Sequence, residues 1–360
     1  MIYNIRLTNQ GDSDMKQATN AIIERQNAIV EGNATPLPLP KFDTYSVCNL
    51  RGGIGKTSLV FNLSYDTDEL LTVDTCPQGN LSYFYDSSYY QSSTTSANDL
   101  LLPYFLPGLG HASRVAKLIG ATNPNFCNRN SYFIPSASDL YMMPSQMANA
   151  LVQAKTISGA NQTRVIDNML YALKTEIRRE MQETKTQRCL IDTSPFFSGA
   201  THLSWHACDA LIIPVRTDQQ SINSLNLLID TLSNPASEFR RNMPSDGHTP
   251  KIQLVVLTHC GWSTRAGSRN KPNQQTKIFL EKVRDIVNRN ITHFTTQNPD
   301  NHIMLLDDFL GSGRISSAES KPILLMTPGY SKTINRVKTT VNPSVTKIQG
   351  QLRFISSCVW

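Results

Sequence analysis

VCNLRGGIGKTSLVFN, residues 47–62, is the stretch that decides how this chain is read. A short apolar run gives way to a glycine-rich turn, then to Lys56-Thr57 and an amphipathic helical pattern. Gly52, Gly53 and Gly55 have no Cβ, so the backbone can turn tightly. Its successive N–H groups then point at an anion on the positive end of the following helix. The run from Gly52 through Ile54, Gly55 and Lys56 to Ser58 is therefore a phosphate cradle. Lys56 falls where an ammonium meets the outer phosphates, and Thr57 where a hydroxyl meets Mg2+.

Around this stretch, strand-like apolar runs alternate with helical patterns from Thr44 onward, which predicts a mostly parallel sheet with helices on both faces. Tyr45–Leu50 reads as the first strand, Lys56–Tyr65 as its helix and Leu70–Asp74 as the next strand. Arg188–Asp192, Ala210–Val215, Lys251–His259, Ile303–Leu306 and Ile323–Met326 complete the sheet, as continuous apolar runs of the kind buried parallel strands require. One long helix is expected over Thr163–Lys185. Residues 1–43 read as an arm: a helix that Ser13 caps and Gly32 ends, then the extended linker PLPLP at 36–40. The expected division is an arm over 1–43, a main domain over 44–330 and a basic tail over 331–360.

The chain of 360 residues carries 34 Lys and Arg against 28 Asp and Glu, a net charge of +6 that permits an acidic partner without demanding one. The excess sits at the end: Ser331–Trp360 holds Lys332, Arg336, Lys338, Lys347 and Arg353 and no acidic residue. Seven cysteines without C-x-x-C spacing read as reduced thiols in a cytoplasmic protein rather than as a disulfide or zinc framework. No stretch approaches the roughly 18 uninterrupted apolar residues that cross a bilayer. His202 and His206 stand at i, i+4, but no glutamate completes an H-E-x-x-H site.

Two further segments carry chemistry. RCLIDTSP (188–195) is an apolar strand ending in Asp192, which puts a carboxylate at the carboxyl edge of a parallel sheet, where α/β proteins bind ligands. Taken alone, that aspartate also fits a helix N-cap. LTVDTCPQGNLS (71–82) ends a second strand in Asp74. Together with RGGIGKT, these segments resemble the deviant Walker A, A′ and Walker B motifs of the ParA/MinD family of P-loop ATPases, closest to ParA-type DNA partition proteins. The resemblance runs in order from about Thr44 to Thr327, with Pro195, Asp209, Pro214 and Ser221 at family-like spacing.

That resemblance implies an α/β fold, a mostly parallel, doubly wound P-loop NTPase sheet. It implies ATP and Mg2+ as cofactors, with Lys56 and Thr57 on phosphate and metal, Asp192 ordering Mg2+ through its water shell, and the loop from Pro214 to Ser221 near the adenine. It also implies a homodimer that sandwiches ATP, nonspecific DNA binding, a ParB-like regulatory partner and a nucleoid-associated place in the cytoplasm. The basic residues that would meet DNA are Arg265, Arg269 and Lys271 in one cluster and Lys332, Arg336 and Lys338 in the tail, although a basic run also fits a solvated face.

The departures from the family pattern are informative. Cys76 replaces the aspartate that positions the attacking water, which predicts slow hydrolysis, with Asp74, two residues earlier on the same face, as partial compensation. Arg51 replaces the signature lysine that reaches the partner's phosphates; it reads either as an arginine finger or as a solvent-facing side chain. Two other functions stay open: a nucleotide-gated scaffold of impaired hydrolysis, and MinD-like membrane positioning through the tail. In the tail Ile348, Leu352, Ile355 and Val359 recur at helical spacing, with Gly350 as a break in the helix and docking on the domain body as the competing role.

Overall fold

Every residue of Thr44–Val47 and of Leu70–Asp74 is buried, which requires apolar layers on both faces of one sheet. The computed structural model, which describes residues 9–91, 95–197, 199–263 and 271–360 and side chains from residue 19, contains that sheet. Its strands are β1 (Thr44–Val47), β2 (Leu70–Asp74), β3 (Lys117–Leu118), β4 (Ser131–Ile134), β5 (Arg188–Asp192), β6 (Ala210–Arg216), β7 (Lys251–Cys260) and β8 (Ile303–Asp307). They lie in the order β3-β4-β2-β5-β1-β6-β7-β8. All neighbours are parallel except β3, which runs antiparallel to β4.

α1 (Asn9–Glu31) precedes β1, while α2 (Lys56–Asp66) and α3 (Asn80–Tyr85) follow β1 and β2. Then come α4 (Ala97–Phe105), α5 (Met143–Ala154), α6 (Ala160–Leu170), α7 (Ala172–Thr184), α8 (Gly199–Ala207), α9 (Gln219–Ser233), α10 (Glu238–Arg241), α11 (Gln274–Arg289), α12 (Leu310–Glu319) and α13 (Val345–Val359). In β5, Cys189 and Ile191 point into one core cluster and Leu190 into the other. Leu100, Met147, Leu173, Leu203, Leu225 and Leu280 bring α4, α5, α7, α8, α9 and α11 onto the first face. Leu59, Leu81, Ile315 and Leu352 bring α2, α3, α12 and α13 onto the second. The expected doubly wound α/β architecture is what forms. Among the described residues no helix is long and apolar enough to cross a membrane.

Four local expectations are corrected. Thr163–Lys185 is two helices, because the path breaks at Tyr171, whose ψ opens to 6° and whose hydroxyl bonds Asp246 at 2.9 Å. Ile323–Met326 is not a strand: Ile323–Leu325 is a single 3-10 turn. Asn62 accepts the Ile323 N–H and Gln349 donates to the carbonyls of Ile323 and Met326, so these backbone groups need no ladder. Ser13 lies inside α1 rather than at its start, since the helix already runs at Asn9. Gly350 does not break α13; a Cβ there would stand 3.4 Å from the Ile29 carbonyl, so glycine lets α13 and α1 approach closely.

The two ends of the chain close the sheet's β8 edge. Arg25 of α1 donates to the carbonyls of Asp300 and Ile303, satisfying groups that an open edge strand leaves bare. After the hairpin of β9 (Ser331–Ile334) and β10 (Val337–Thr340), α13 buries Ile348, Leu352, Ile355 and Val359 against the second face. Its last turn is tied to β1, where the Tyr45 hydroxyl donates to the Val359 carbonyl at 2.9 Å.

α8 carries two buried histidines among Phe197, Trp205 and Phe239, with His202 and His206 sharing an Nε2···Nε2 contact of 3.0 Å. Burial pushes His202 down to about 4, and burial with the neighbouring imidazole pushes His206 down as well. Both folded values lie below the ordinary 6.5, so the stability they hold is intact above that pH and is lost as pH falls toward 4. In urea titrations the wild type is expected to lose about 2–4 kcal/mol more between pH 7 and 5 than His202→Gln/His206→Gln, whose amides hydrogen-bond without titrating. Equal pH slopes for the two proteins would contradict this.

Candidate functional site

The chain leaves β1 at the carboxyl edge of the sheet and loops through Cys48–Gly55 into α2. Gly53 and Gly55 hold φ of 70° and 90°, and no atom lies within 4 Å of an added Cβ at either. The backbone turn, not crowding, is therefore what demands glycine there. Asn49 props the loop from below by donating to the Pro214 carbonyl at 2.7 Å. Lys56 is buried and folds back over the loop, donating to the carbonyls of Arg51 at 2.8 Å and Asn49 at 3.1 Å.

Thr57, one residue into α2, donates its hydroxyl to Asp192 Oδ2 at 2.7 Å. The other oxygen, Asp192 Oδ1, is buried with no hydrogen-bond partner among the described residues. Burial, and then the neighbouring Asp74, hold the Asp192 carboxyl above the usual range. An orphaned carboxylate oxygen beside a threonine hydroxyl suits a hydrated Mg2+, which takes few protein ligands and keeps most of its water. Thr57 and Asp192 are the residues that would hold it.

Asp74 lies beside Asp192 in the β2–β5 register. Its two oxygens take three donors, the Cys76 N–H at 3.1 Å, the Ser82 N–H at 2.9 Å and the Ser82 hydroxyl at 2.8 Å. Both Asp74 and Asp192 lie behind the immediate lining of the phosphate cavity, a space of about 200 Å³ bounded by Gly52–Ser58, Cys76, Gln78, Asn80, Thr193 and Pro195. The three donors engage the Asp74 carboxylate in closing the 74–82 turn, which weighs against the compensation expected of it. Cys76 does line the cavity, as a thiol pushed up to about 12 by burial and by the two aspartates.

A second cavity, of about 270 Å³, shares Gly53, Ile54, Gly55 and Ser58 with the first. It continues along the ends of β7 and β8, past Thr258, His259 and Leu306 to Phe309. His259 sits there at φ 58° beside a register shift between β7 and β8. Asp307, on the far wall, is fixed from α13 by Lys347 at 3.1 Å and Gln351 at 2.6 Å. Pro214 lines neither cavity, being buried within β6; β7 and β8 extend the groove from the loop, and Arg216, Thr217 and Asp218 border an adjoining space that shares His259 and Asp308 with the second cavity. That pairing of β7 and β8 with the loop depends on sheet order, which no local spacing reveals.

Arg51 is neither free nor solvent-facing. It bonds Asp218 and the Ser221 hydroxyl, the latter at 2.7 Å, and reaches Gln220 at 3.2 Å. Asp218 is the N-cap of α9, accepting from the Ser221 N–H at 2.9 Å. Sequence reading missed this anchor, although D-Q-Q-S at 218–221 carries the helix-start signal that would have found it. Of the basic candidates, Arg265 and Arg269 lie outside the described residues. Lys271 is exposed beyond β7, Lys332 pairs with Glu319, and Arg336 and Lys338 are exposed on the β9–β10 hairpin.

A glycine loop between a strand and a helix, with its lysine and a Thr–Asp corner at the carboxyl edge of a parallel doubly wound sheet, defines a P-loop NTPase. A family described as an AAA domain matches residues 43–244, more than half of the chain, and the chain belongs to this family of ParA/MinD-type P-loop ATPases. The protein IncC of Escherichia coli is 26% identical over 196 residues, covering 53% of this chain and 46% of IncC. An uncharacterised protein of Mycobacterium tuberculosis is 27% identical over 209 residues, covering 55% of this chain and 56% of its own. The chain thus spans about half the length of these curated relatives. In fold it is similar to apo McdA of Cyanothece, with a TM-score of 0.51 at 18% identity over 78% of this chain and 91% of that one. An ATP complex of a Cyanothece McdA variant gives 0.51 at 16% identity, over 78% and 89%.

The thiol at the phosphate cavity has a chemical consequence. A thiol with a pKa of about 12 holds roughly a thousandfold less thiolate at pH 8 than an ordinary exposed cysteine. Under brief iodoacetamide treatment of the native protein, mass spectrometry is expected to find label on exposed Cys127 and almost none on Cys76. Equal labelling of the two would show that the thiol is neither buried nor held protonated.

Proposed function

We propose that this protein is an ATP-dependent, ParA-like DNA partition ATPase. It binds ATP with Mg2+, dimerises around the nucleotide, holds DNA nonspecifically and answers to a ParB-like partner that carries plasmid or chromosomal cargo. The observation that carries this reading is the Lys56, Thr57 and Asp192 cluster beneath the glycine loop. Family membership and the likeness to McdA, one of whose structures is an ATP complex, support it.

In this reading the loop N–H groups take the phosphates, and Lys56 leaves its two carbonyl partners to meet the outer phosphates. Thr57 and Asp192 hold Mg2+, which supplies charge neutralisation on the polyphosphate. The second cavity, walled by His259 and Phe309 and polar at Thr258 and Asp307, suits the base and ribose. Arg51, tethered to Asp218 and Ser221, is carried on the start of α9, so movement of that helix swings the guanidinium toward or away from a partner's phosphates. Lys271, Arg336 and Lys338 are exposed charges for DNA phosphates.

A second reading, a nucleotide-gated scaffold that turns over slowly, is favoured by the neutral Cys76 thiol at the cavity. The membrane-positioning alternative loses its basis, because the apolar face of α13 is part of the core.

Fluorescence anisotropy with nonspecific DNA tests the proposal. With ATP, the wild type is expected to bind at low salt and to lose at least tenfold in affinity at moderate salt, as phosphate contacts do. ADP and Lys56→Ala should each abolish the ATP-dependent part. Binding that ignores nucleotide, or that Lys56→Ala leaves intact, would overturn the partition reading.

A further inference from the structure

The phosphate cavity holds few groups able to orient a water molecule. Cys76 is a neutral thiol, a weak acceptor. Asp74 is engaged by three donors of its own turn, Thr57 is committed to Asp192, and the Thr193 hydroxyl donates to the Val47 carbonyl at 2.9 Å. Lys56 is a donor only. Gln78 and Asn80 line the same cavity, are exposed, and carry uncommitted amide groups, with a single long bond of 3.4 Å from Asn80 Nδ2 to Gln78 Oε1.

The turn that bears Gln78 is held by the tyrosines that follow α3. Gly79 takes φ 64°, and the Tyr89 ring rests where a Cβ would otherwise stand. The Tyr90 hydroxyl donates to the Gln78 carbonyl at 2.6 Å, and Tyr90 packs on Tyr83 with ring centroids 5.7 Å apart. The tyrosines of the Ser/Tyr-rich stretch after α3 thus hold the backbone immediately after the Gln78 Cα.

We propose that Gln78 is the water-orienting residue of this chain, standing in for the carboxylate that Cys76 displaces, with Tyr90 as its positioning residue. This rests on the nucleotide-hydrolysing reading above. Gln78 Oε1 accepts a hydrogen bond from the water, aligning its oxygen with the γ-phosphorus. The new P–O bond forms as the bond to the β–γ bridging oxygen breaks, and that oxygen leaves with the electron pair as ADP. The water's proton passes to the released phosphate and solvent. Gln78 takes no proton, as an amide cannot, so it orients without serving as base.

The test combines fluorescent-ATP affinity with single-turnover phosphate release for the wild type, Gln78→Ala, Gln78→Glu, Tyr90→Phe and Lys56→Ala. Gln78→Ala is expected to bind ATP within about twofold of the wild type and to hydrolyse it about a hundredfold more slowly. Gln78→Glu, which keeps an acceptor at the same reach, should retain most of the rate, and Tyr90→Phe should lower kcat with KM unchanged. Gln78→Ala turning over at the wild-type rate, or a wild type that binds ATP and releases no phosphate, would overturn this role alone. A wild type that binds no ATP, like Lys56→Ala, would overturn the nucleotide reading with it.

Discussion

The hydrogen bond from Thr57 to Asp192 joins residues 135 apart in sequence, and the site depends on it. It forms because β1 and β5 are parallel neighbours with Val47 opposite Asp192 in register. Three helix-bearing connections, through α2, through α3 and α4, and through α5 to α7, are needed before β5 can return beside β1, and the sheet places β2 on β5's other side with Asp74 level with Asp192. Three chain segments thus deliver a lysine, a hydroxyl and a pair of carboxylates to one edge. A one-residue slip of β5 would turn Asp192 to the opposite face.

That convergence leaves buried charge close together. Burial raises the Asp74 carboxyl to about 6, and three donors from its own turn offset part of that rise, while Asp192 keeps a bare oxygen beside Thr57. The two carboxylates consequently differ: one fixes a loop, and the other keeps an open lone pair, which in the proposed reading takes the metal. Cys76 stays neutral because burial, and then the two negative charges beside it, disfavour a thiolate there.

Much of this is legible in the sequence. The glycine loop, the strand ending in Asp192 and the alternating apolar runs predicted a parallel sheet with its ligand edge, since each depends on local spacing and on burial of both faces. Asp74's role was not legible: i, i+2 geometry put it beside Cys76, but only the fold of the 74–82 turn shows Ser82 consuming it. Arg51's anchor at Asp218 arises from β1 and β6 lying side by side, a matter of topology. Ile323–Met326 misread as a strand for a related reason. Its apolar pattern is a buried segment's, and side chains of Asn62 and Gln349 replace the ladder that a strand would need. Gly350 misread through propensity alone, since its lack of a side chain is what admits α1.

Calorimetric titration of ATP, with Mg2+ and then with EDTA, into the wild type and Thr57→Val tests most directly whether the Thr57–Asp192 corner is a metal–nucleotide site. The account predicts binding in Mg2+ that weakens at least tenfold in EDTA, and a variant that shows the weak value in both. Equal affinity in Mg2+ and EDTA, or a Thr57→Val protein that retains the full Mg2+ effect, would contradict it.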